Sequence, residues 1–192
     1  MDAVVLEGRY VRLEPLTLDH APALWAVSQA PELYRYKPYV LRCEDDLRRF
    51  ITAAARQHAA GTGLTFATIL RDTDELVGST SFAAADWPHR RIEIGGTWVI
   101  PPRQRTPVNT DAKYLMLRHA FETLELLRVE FKTDSLNAKS RAALLRIGAT
   151  EEGIFRNHMV MSDGRSRHSV YYSIIASEWP AVKERLAGLL NR

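Results

Sequence analysis

Seven consecutive residues, Gln104 to Thr110 (QRTPVNT), have side chains and a position suited to binding phosphate. They follow an apolar run that ends at Ile100 and precede a helical pattern that begins at Asp111. At such a strand-to-helix turn, free backbone N–H groups and the helix dipole attract anions. These turns usually carry glycine, which lets the backbone approach the ligand, and this one has none. It is either a phosphate site built without glycine or a helix start capped by Asn109 or Thr110.

The turn can hold a diphosphate without glycine, because the hydrogen bonds come from backbone N–H groups and only Pro107 lacks one. Arg103 and Arg105 add positive charge, and charge-assisted bonds to phosphate are stronger than neutral ones. Asp111 repels phosphate and is expected to point away from it. The predicted phosphate-contacting residues are Gln104, Arg105, Thr106, Val108, Asn109 and Thr110.

The elements that position this turn follow from hydrophobic periodicity, which predicts the order β-α-α-β-β-β-α-β-α-β-β-α. The strand at residues 90–100 contains Gly95 and Gly96, and glycine inside a strand often marks a bulge or a close approach. Antiparallel strands that lead into a β-α-β unit predict an α/β fold, α+β in some schemes. Its central sheet is expected to be mixed and mostly antiparallel, with helices on both faces. No linker interrupts the pattern, so residues 1–192 are predicted to form one domain.

Composition narrows the protein class. The chain has 192 residues, 46% hydrophobic and 26% charged, which is typical of a globular protein. No apolar run approaches the roughly 20 residues of a membrane span, and no signal peptide is recognisable, so we expect a cytoplasmic protein without a membrane partner. One cysteine, Cys43, excludes an internal disulfide framework. A net charge of +3 is too small and dispersed for nucleic acid to be an expected partner.

Longer motifs carry a resemblance to a known family. The segments VNTDAKYLMLRHAFE, VEFKTDSLNAKSRAALLRIGATEEG and DGRSRHSVYYSIIASEWPAVKERL resemble the GCN5-related N-acetyltransferase (GNAT) superfamily. Within it, they resemble the branch of the ribosomal-protein N-terminal acetyltransferases. The likeness runs from Leu6 to about Leu186. The family's phosphate loop reads Gln/Arg-x-x-Gly-x-Gly/Ala. Here Gln104 keeps the first position, while Pro107 and Asn109 replace the two glycines.

The resemblance implies an N-acetyltransferase that moves an acetyl group from acetyl-CoA to a primary amine by direct attack in a ternary complex. The acceptor is left open between a peptide N-terminus and a small-molecule amine, and the oligomeric state is open too, a homodimer included. Two alternatives remain. One is a catalytically silent acyl-CoA sensor, and the other is a ribosome- or RNA-associated binding module that uses Arg103, Arg105, Arg165 and Arg167.

The resemblance also implies roles for individual residues. The strand before the phosphate loop should splay from its neighbour, and we expect backbone N–H groups near Trp98, Val99 and Ile100 to bind the pantetheine arm and the thioester. Asn137 and Ser140 match the family's N-x-x-S motif, which places Asn137 on the pantetheine and Ser140 near the sulfur, as a hydrogen-bonding group with a proton role left open.

A general base is needed because a free amine is mostly protonated at neutral pH. Glu93 is the candidate, acting directly or through a water. The alternative for Glu93 is an exposed carboxylate paired with Arg90 or Arg91. Tyr171 or Tyr172 is a further candidate acid, and one of the two must face the core.

The family builds its acceptor site from the first two helices, their connection and the last hairpin. On this chain that implies an aromatic wall that includes Tyr36, Tyr39 and Trp87, although such aromatics serve equally well as packing. His158 and His168 should lie roughly opposite each other across the last hairpin. No acidic residue or third histidine stands at metal-ligand spacing, so no metal is expected.

Overall fold

The strands of this computed structural model, which describes residues 1–191, lie where the periodicity predicts, apart from one short addition at the N-terminus. The strands are Leu6–Glu7 (β1), Val11–Pro15 (β2), Leu64–Leu70 (β3), Leu76–Asp86 (β4), Arg91–Val99 (β5), Arg128–Asp134 (β6), Thr150–Val160 (β7) and Ser166–Ile175 (β8). The sequence pattern did not predict β1, which has only two residues and no alternation to recognise.

The α-helices also follow the predicted order. They are Ala21–Val27 (α1), Glu44–Ala59 (α2), Pro107–Arg118 (α3), Ala138–Ile147 (α4) and Trp179–Leu190 (α5). A π-helical segment, His119–Thr123, continues α3. Helix α4 ends where Gly148 adopts a left-handed conformation at φ 98°, which glycine allows without strain. No helix among the described residues is long and apolar enough to cross a membrane.

All the strands join one sheet in the order β1-β2-β3-β4-β5-β6-β8-β7. Every neighbouring pair is antiparallel except β5 and β6, which are parallel because α3 carries the chain back between them. The predicted mixed, mostly antiparallel sheet is confirmed.

Helices cover both faces of the sheet, as predicted. Strand β3 shows why, because its side chains alternate between two apolar cores. Phe66 and Leu70 belong to the larger core, which α3 and α5 cover. Ala67 and Ile69 belong to the smaller core, which α1 and α2 cover. The strand is buried along its whole length for this reason.

Candidate active site

A gap opens between β5 and β6 near the middle of the sheet. The two strands pair only where Arg91–Glu93 lies beside Arg128–Glu130. Past that point β5 continues beside β4, and β6 continues beside β8. We call this gap the opening. It is the splay that the family resemblance implied.

A bulge in β5 borders the opening. Ser79 of β4 lies opposite Trp98, whereas Ser81 lies opposite Gly95, so β5 contains one extra residue. Gly96 adopts a φ of 64°, which is strained for residues with a side chain. The glycine pair therefore marks a bulge, one of the two possibilities that the sequence raised.

The backbone of β5 offers the opening fewer donors than predicted. The Ile100 N–H donates to the Val77 carbonyl at 2.8 Å, so it is engaged by β4. Strand alternation turns Trp98 the same way, and only Val99 turns its N–H and carbonyl toward the opening. The Val99 carbonyl accepts from Gln104 Nε2 at 2.8 Å. The predicted N–H contacts of Trp98 and Ile100 are thus corrected, and the Val99 N–H remains the candidate.

The turn after β5 replaces glycine with specific conformations of other residues. Arg105 adopts a left-handed φ of 61°. Thr106 is the N-cap of α3: its hydroxyl accepts from the Val108 N–H at 3.4 Å and donates to the Arg103 carbonyl at 2.7 Å. Pro107 takes the first helical position, where a missing N–H leaves no helix bond unmade. The suggestion that Asn109 or Thr110 caps this helix is wrong.

The first turn of α3 leaves some N–H groups without helix partners, as every helix start does. These belong to Thr106, Val108 and Asn109. Thr110 lies one position deeper, where the N–H bonds back to the Thr106 carbonyl, and its hydroxyl accepts from Arg146 at 2.8 Å. Its predicted phosphate contact through the N–H is therefore corrected. Asn109 Oδ1 is buried and has no hydrogen-bond partner among residues 1–191.

Asp111 points away from this turn, as expected. Its Oδ2 accepts from the backbone N–H groups of Tyr10 and Val11, at 2.6 and 3.0 Å. Gly8 packs so close that a Cβ there would lie 2.4 Å from the carboxylate. The negative charge is thus bound to the β1–β2 turn.

A side-chain contact links the start of α4 to the turn before α3. Lys139 Nζ donates to Gln104 Oε1 at 2.6 Å, which connects the two helix starts across the mouth of the opening. Asn137 caps α4, and its Oδ1 accepts from the Ser140 N–H at 3.1 Å. The two residues of the N-x-x-S motif therefore contact each other. With Arg105 exposed nearby, two cations flank the mouth.

Glu93 lies where β5 and β6 part. It is only 8% exposed, and its Oε2 lies 2.7 Å from Lys132 Nζ. The alternative of an exposed carboxylate paired with Arg90 or Arg91 is wrong, because Arg91 pairs with Asp86 and Glu130 instead. A Cβ on Gly95 would lie 2.6 Å from Glu93 Oε1, so that glycine makes room for the carboxylate.

Other polar groups lie on the same side of the sheet as the Glu93 side chain. We call the side of β6 and β8 that carries Lys132, Arg167 and Tyr171 the polar face. The Tyr171 hydroxyl lies 3.5 Å from His158 Nε2, and burial raises the pKa of Tyr171 while it lowers the pKa of His158. Tyr172 faces the opposite way, fully buried in the larger core. Of the two tyrosines, only Tyr171 lies on the polar face.

Residues 31–40, within the connection between α1 and α2, contact strands β5 and β8. Lys37 Nζ donates to the Gly96 carbonyl at 3.0 Å, and the Tyr36 carbonyl accepts from Arg167. Burial lowers the pKa of Lys37 to about 8 and raises that of Tyr39 to about 12. Tyr36 and Tyr39 therefore belong to a segment that reaches the bulge.

Trp87 lies elsewhere. Its indole N–H donates to the Gly61 carbonyl at 2.9 Å, in the turn after α2. The contact holds the β4–β5 turn against that helix end. Trp87 thus contacts the end of α2, and the predicted aromatic wall stays a prediction for Tyr36 and Tyr39.

The two histidines of the last hairpin hydrogen-bond to neighbours within it. His168 Nδ1 accepts from the Asn157 N–H at 2.8 Å, and His158 Nδ1 lies 3.0 Å from Ser169 Oγ. Within residues 1–191, no group of three or more His, Cys, Asp or Glu side chains is arranged to hold a metal ion.

The sequence did not single out Lys132, Lys113 or Lys37. Alternation along β6 puts Lys132 on one face with Glu130, but only the strand register shows that it reaches Glu93. Lys113 reads as an exposed helix residue, yet it is 5% exposed and donates to Thr97 Oγ1 at 2.7 Å, beneath the bulge.

A mixed sheet with a central opening, and two helix starts at its mouth, is the arrangement that the resemblance to the GNAT superfamily implied. The family model described as "Acetyltransferase (GNAT) domain" matches residues 11–150. The chain is 28% identical to "Uncharacterized N-acetyltransferase YoaA" of Bacillus subtilis (strain 168), over 89% of this chain and 96% of that one. It is 26% identical to "Ribosomal-protein-serine acetyltransferase" of Escherichia coli (strain K12), over 73% and 77%.

A solved structure agrees. The crystal structure of a GCN5-related N-acetyltransferase from Brucella melitensis is similar, with a TM-score of 0.91 and 31% identity over 99% of this chain and 86% of that one. The chain belongs to the GNAT family of acetyltransferases. The relatives support an acetyl-CoA-dependent acyltransferase, which confirms the predicted enzyme class.

Proposed function

We propose that the protein transfers an acetyl group from acetyl-CoA to a primary amine, by direct attack in a ternary complex and within a single domain. The observation that carries this proposal is the opening. Its two strands part at Glu93, and the helix starts of α3 and α4 lie at its far end. At the apex of the opening, where the strands part, the Glu93 carboxylate could act as a base for the amine. At its mouth, the N–H donors could bind the phosphates of acetyl-CoA.

The donor half of the proposal rests on charge and on N–H groups that make no backbone bond within the helix. The diphosphate of CoA would lie against the N–H groups of Thr106, Val108 and Asn109, with Arg105 and Lys139 beside it. The thioester arm would follow β5 to the Val99 N–H, which supplies a donor for the carbonyl oxygen as negative charge develops there. Gln104 positions this path by holding the Val99 carbonyl.

The acceptor half rests on Glu93. We propose that this carboxylate takes the proton that the amine loses on attack, directly or through a water. Its pair with Lys132 holds it in place, and the space over Gly95 leaves Oε1 open to a partner. Ser140, near the α4 start, is the proposed hydrogen-bonding group for the leaving thiolate, with Asn137 contacting the pantetheine.

The arginines that would serve an RNA-binding module do not form one free patch. Arg103 pairs with Glu75 at 2.8 Å, and Arg165 pairs with Asp134 at 2.6 Å. Arg167 is buried beneath residues 31–40. Only Arg105 extends freely, which favours a small anionic donor over a nucleic-acid backbone.

Two measurements test the proposal in sequence. CoA at about 100 times its Kd should raise the free energy of unfolding by about 2.7 kcal/mol in a thermal-shift titration. Release of free thiol from acetyl-CoA, with a panel of peptides, amino acids and polyamines, then tests transfer. CoA binding without thiol release for any amine would support the sensor alternative, and absence of both would reject the donor site.

A further inference from the structure

The charges of the polar face balance in pairs except at one residue. Lys132 neutralises Glu93 at 2.7 Å, and Arg165 neutralises Asp134 at 2.6 Å. Glu130 lies within 3.2 Å of two arginines. Arg167 has no carboxylate within 4 Å among the described residues, although it is only 6% exposed. One positive charge on this face is therefore left without a counter-ion.

A buried guanidinium without a carboxylate is costly, because burial removes its hydration. The contacts of Arg167 offset this only in part. Its Nε donates to Ser169 Oγ at 3.0 Å and its Nη1 to the Tyr36 carbonyl at 3.2 Å. A guanidinium carries five N–H groups, so three have no partner in the described chain. These three N–H groups can donate to a further oxygen acceptor.

Arg167 also lies within electrostatic reach of the proposed base. Burial lowers the pKa of Arg167, and the charges of Asp134 and Glu93 partly offset that effect. Both side chains point to the same side of the sheet, since Glu93 contacts Lys132, which lies opposite Tyr171, and Arg167 is four residues from Tyr171 along β8. An amine held at Glu93 would present its neighbouring atoms to this guanidinium.

We propose that Arg167 binds an oxygen on the carbon next to the acceptor's amine-bearing carbon, so that the acceptor is an α-amino group with its carbonyl or carboxylate. This inference rests on the proposed function and narrows it. A planar guanidinium fits a carboxylate or a carbonyl. Polyamines lack such an oxygen and are excluded as preferred acceptors. The oxygen can come from a free amino acid or from the first peptide unit of a protein.

Three matched acceptors test this: an amino acid, a peptide that begins with it, and the alkylamine left when its carboxyl group is removed. The amino acid common to the three acceptors is the best one found in a screen of free amino acids. For each acceptor, kcat/KM of Arg167→Met is divided by that of the wild type, which cancels differences in amine pKa. We expect a loss of roughly 10- to 100-fold for the two oxygen-bearing acceptors and less than about twofold for the alkylamine.

The same data distinguish a free amino acid from a peptide N-terminus as the source of the oxygen. A larger loss for the free amino acid than for the peptide identifies a carboxylate as the partner, and similar losses identify the carbonyl shared by peptide N-termini. Guanidinium ion added to Arg167→Ala should restore part of the activity toward oxygen-bearing acceptors only, which a purely structural role would not allow.

Arg35→Met is the matched control. Arg35 is exposed on the same segment, over the Tyr36 ring at 5.4 Å, and its replacement removes one positive charge without touching the polar face. An equal loss for all three acceptors in Arg167→Met, or no loss, would overturn the inference. If the wild type acetylates no amine, the proposed function fails instead, so the two failures are distinguishable.

Discussion

The two ends of the opening are built from different materials. At the mouth, the donors of the proposed diphosphate site are backbone N–H groups at the start of α3, and the side chains of Thr106 and Gln104 hold that backbone in place. At the apex, the groups are side chains: Glu93 and Lys132 form a buried pair. A site made of backbone tolerates changes of residue type as long as the conformation is kept, whereas a site made of buried charges depends on each residue.

Breaking the apex should have the largest effect. Glu93→Gln should lower kcat by about 10²- to 10⁴-fold, because the attacking amine loses its base. The loss should shrink toward high pH, where more of the amine is already neutral. Rates from pH 6 to 10 measure this. The double variant Glu93→Gln with Lys132→Met removes the unpaired ammonium. If it regains both stability and rate, then Glu93 only neutralises Lys132 and is not the base.

Lys113, which lies beneath the bulge of β5, should make the free energy of unfolding depend on pH. Burial lowers the pKa of Lys113, beneath the bulge, to about 7. The unfolded chain keeps this proton to about pH 10, so the free energy of unfolding should rise with pH between about 7 and 10. Lys113→Met should flatten that rise. The stability of the variant relative to the wild type should therefore be greater at pH 6 than at pH 10, by up to about 4 kcal/mol. Denaturant titrations at several pH values measure it. A parallel shift at every pH would contradict the assignment.

A subtler change sharpens the contrast at the apex. Gly95→Ala places a Cβ against Glu93 Oε1, so the carboxylate must move. We expect a fall in kcat of about 10-fold, as small displacements of a catalytic group are costly, and little change in donor KM. Gly188→Ala is the control, because nothing lies within 4 Å of that position in α5. Steady-state kinetics on both variants decide the point, and an unaffected Gly95→Ala enzyme would place the reacting amine elsewhere.

The mouth should respond most weakly. Arg105→Ala and Arg105→Gly both remove a charge beside the proposed diphosphate, and each should raise the donor KM a few-fold. Because Arg105 has a φ of 61°, the glycine variant should be about 1 kcal/mol more stable than the alanine variant. Thermal unfolding and donor titrations report the two effects separately. Equal stability of both variants would mean that this conformation is not kept in solution.

The same contrast explains what the sequence could predict. The order of elements, the sheet type and the helices on both faces follow from periodicities within short stretches of sequence. Strand β1 was not predicted because two residues are too few to show a period. The helix cap was misplaced, since Thr106, Asn109 and Thr110 are all acceptable caps and tertiary contacts choose among them.

The apex was only half predictable. Glu93 could be placed on a strand beside the opening, but its partner could not, because Lys132 is 39 residues away and pairing depends on the register of β6 beside β5. The burial of Arg167 likewise depends on residues 31–40 folding over β8, a contact across 131 positions. Local sequence patterns do not predict contacts between residues so far apart in the sequence.

The three-residue pairing of β5 and β6 has a consequence for rigidity. Each strand beside the opening keeps a paired neighbour on its other side, β4 or β8, so the gap exists without any melting of the sheet. Hydrogen–deuterium exchange should therefore find the Val99 amide fast and the adjacent Ile100 amide slow in the ligand-free protein. The opening exists before any ligand binds, so we expect bound CoA to protect single amides from exchange rather than to order a loop.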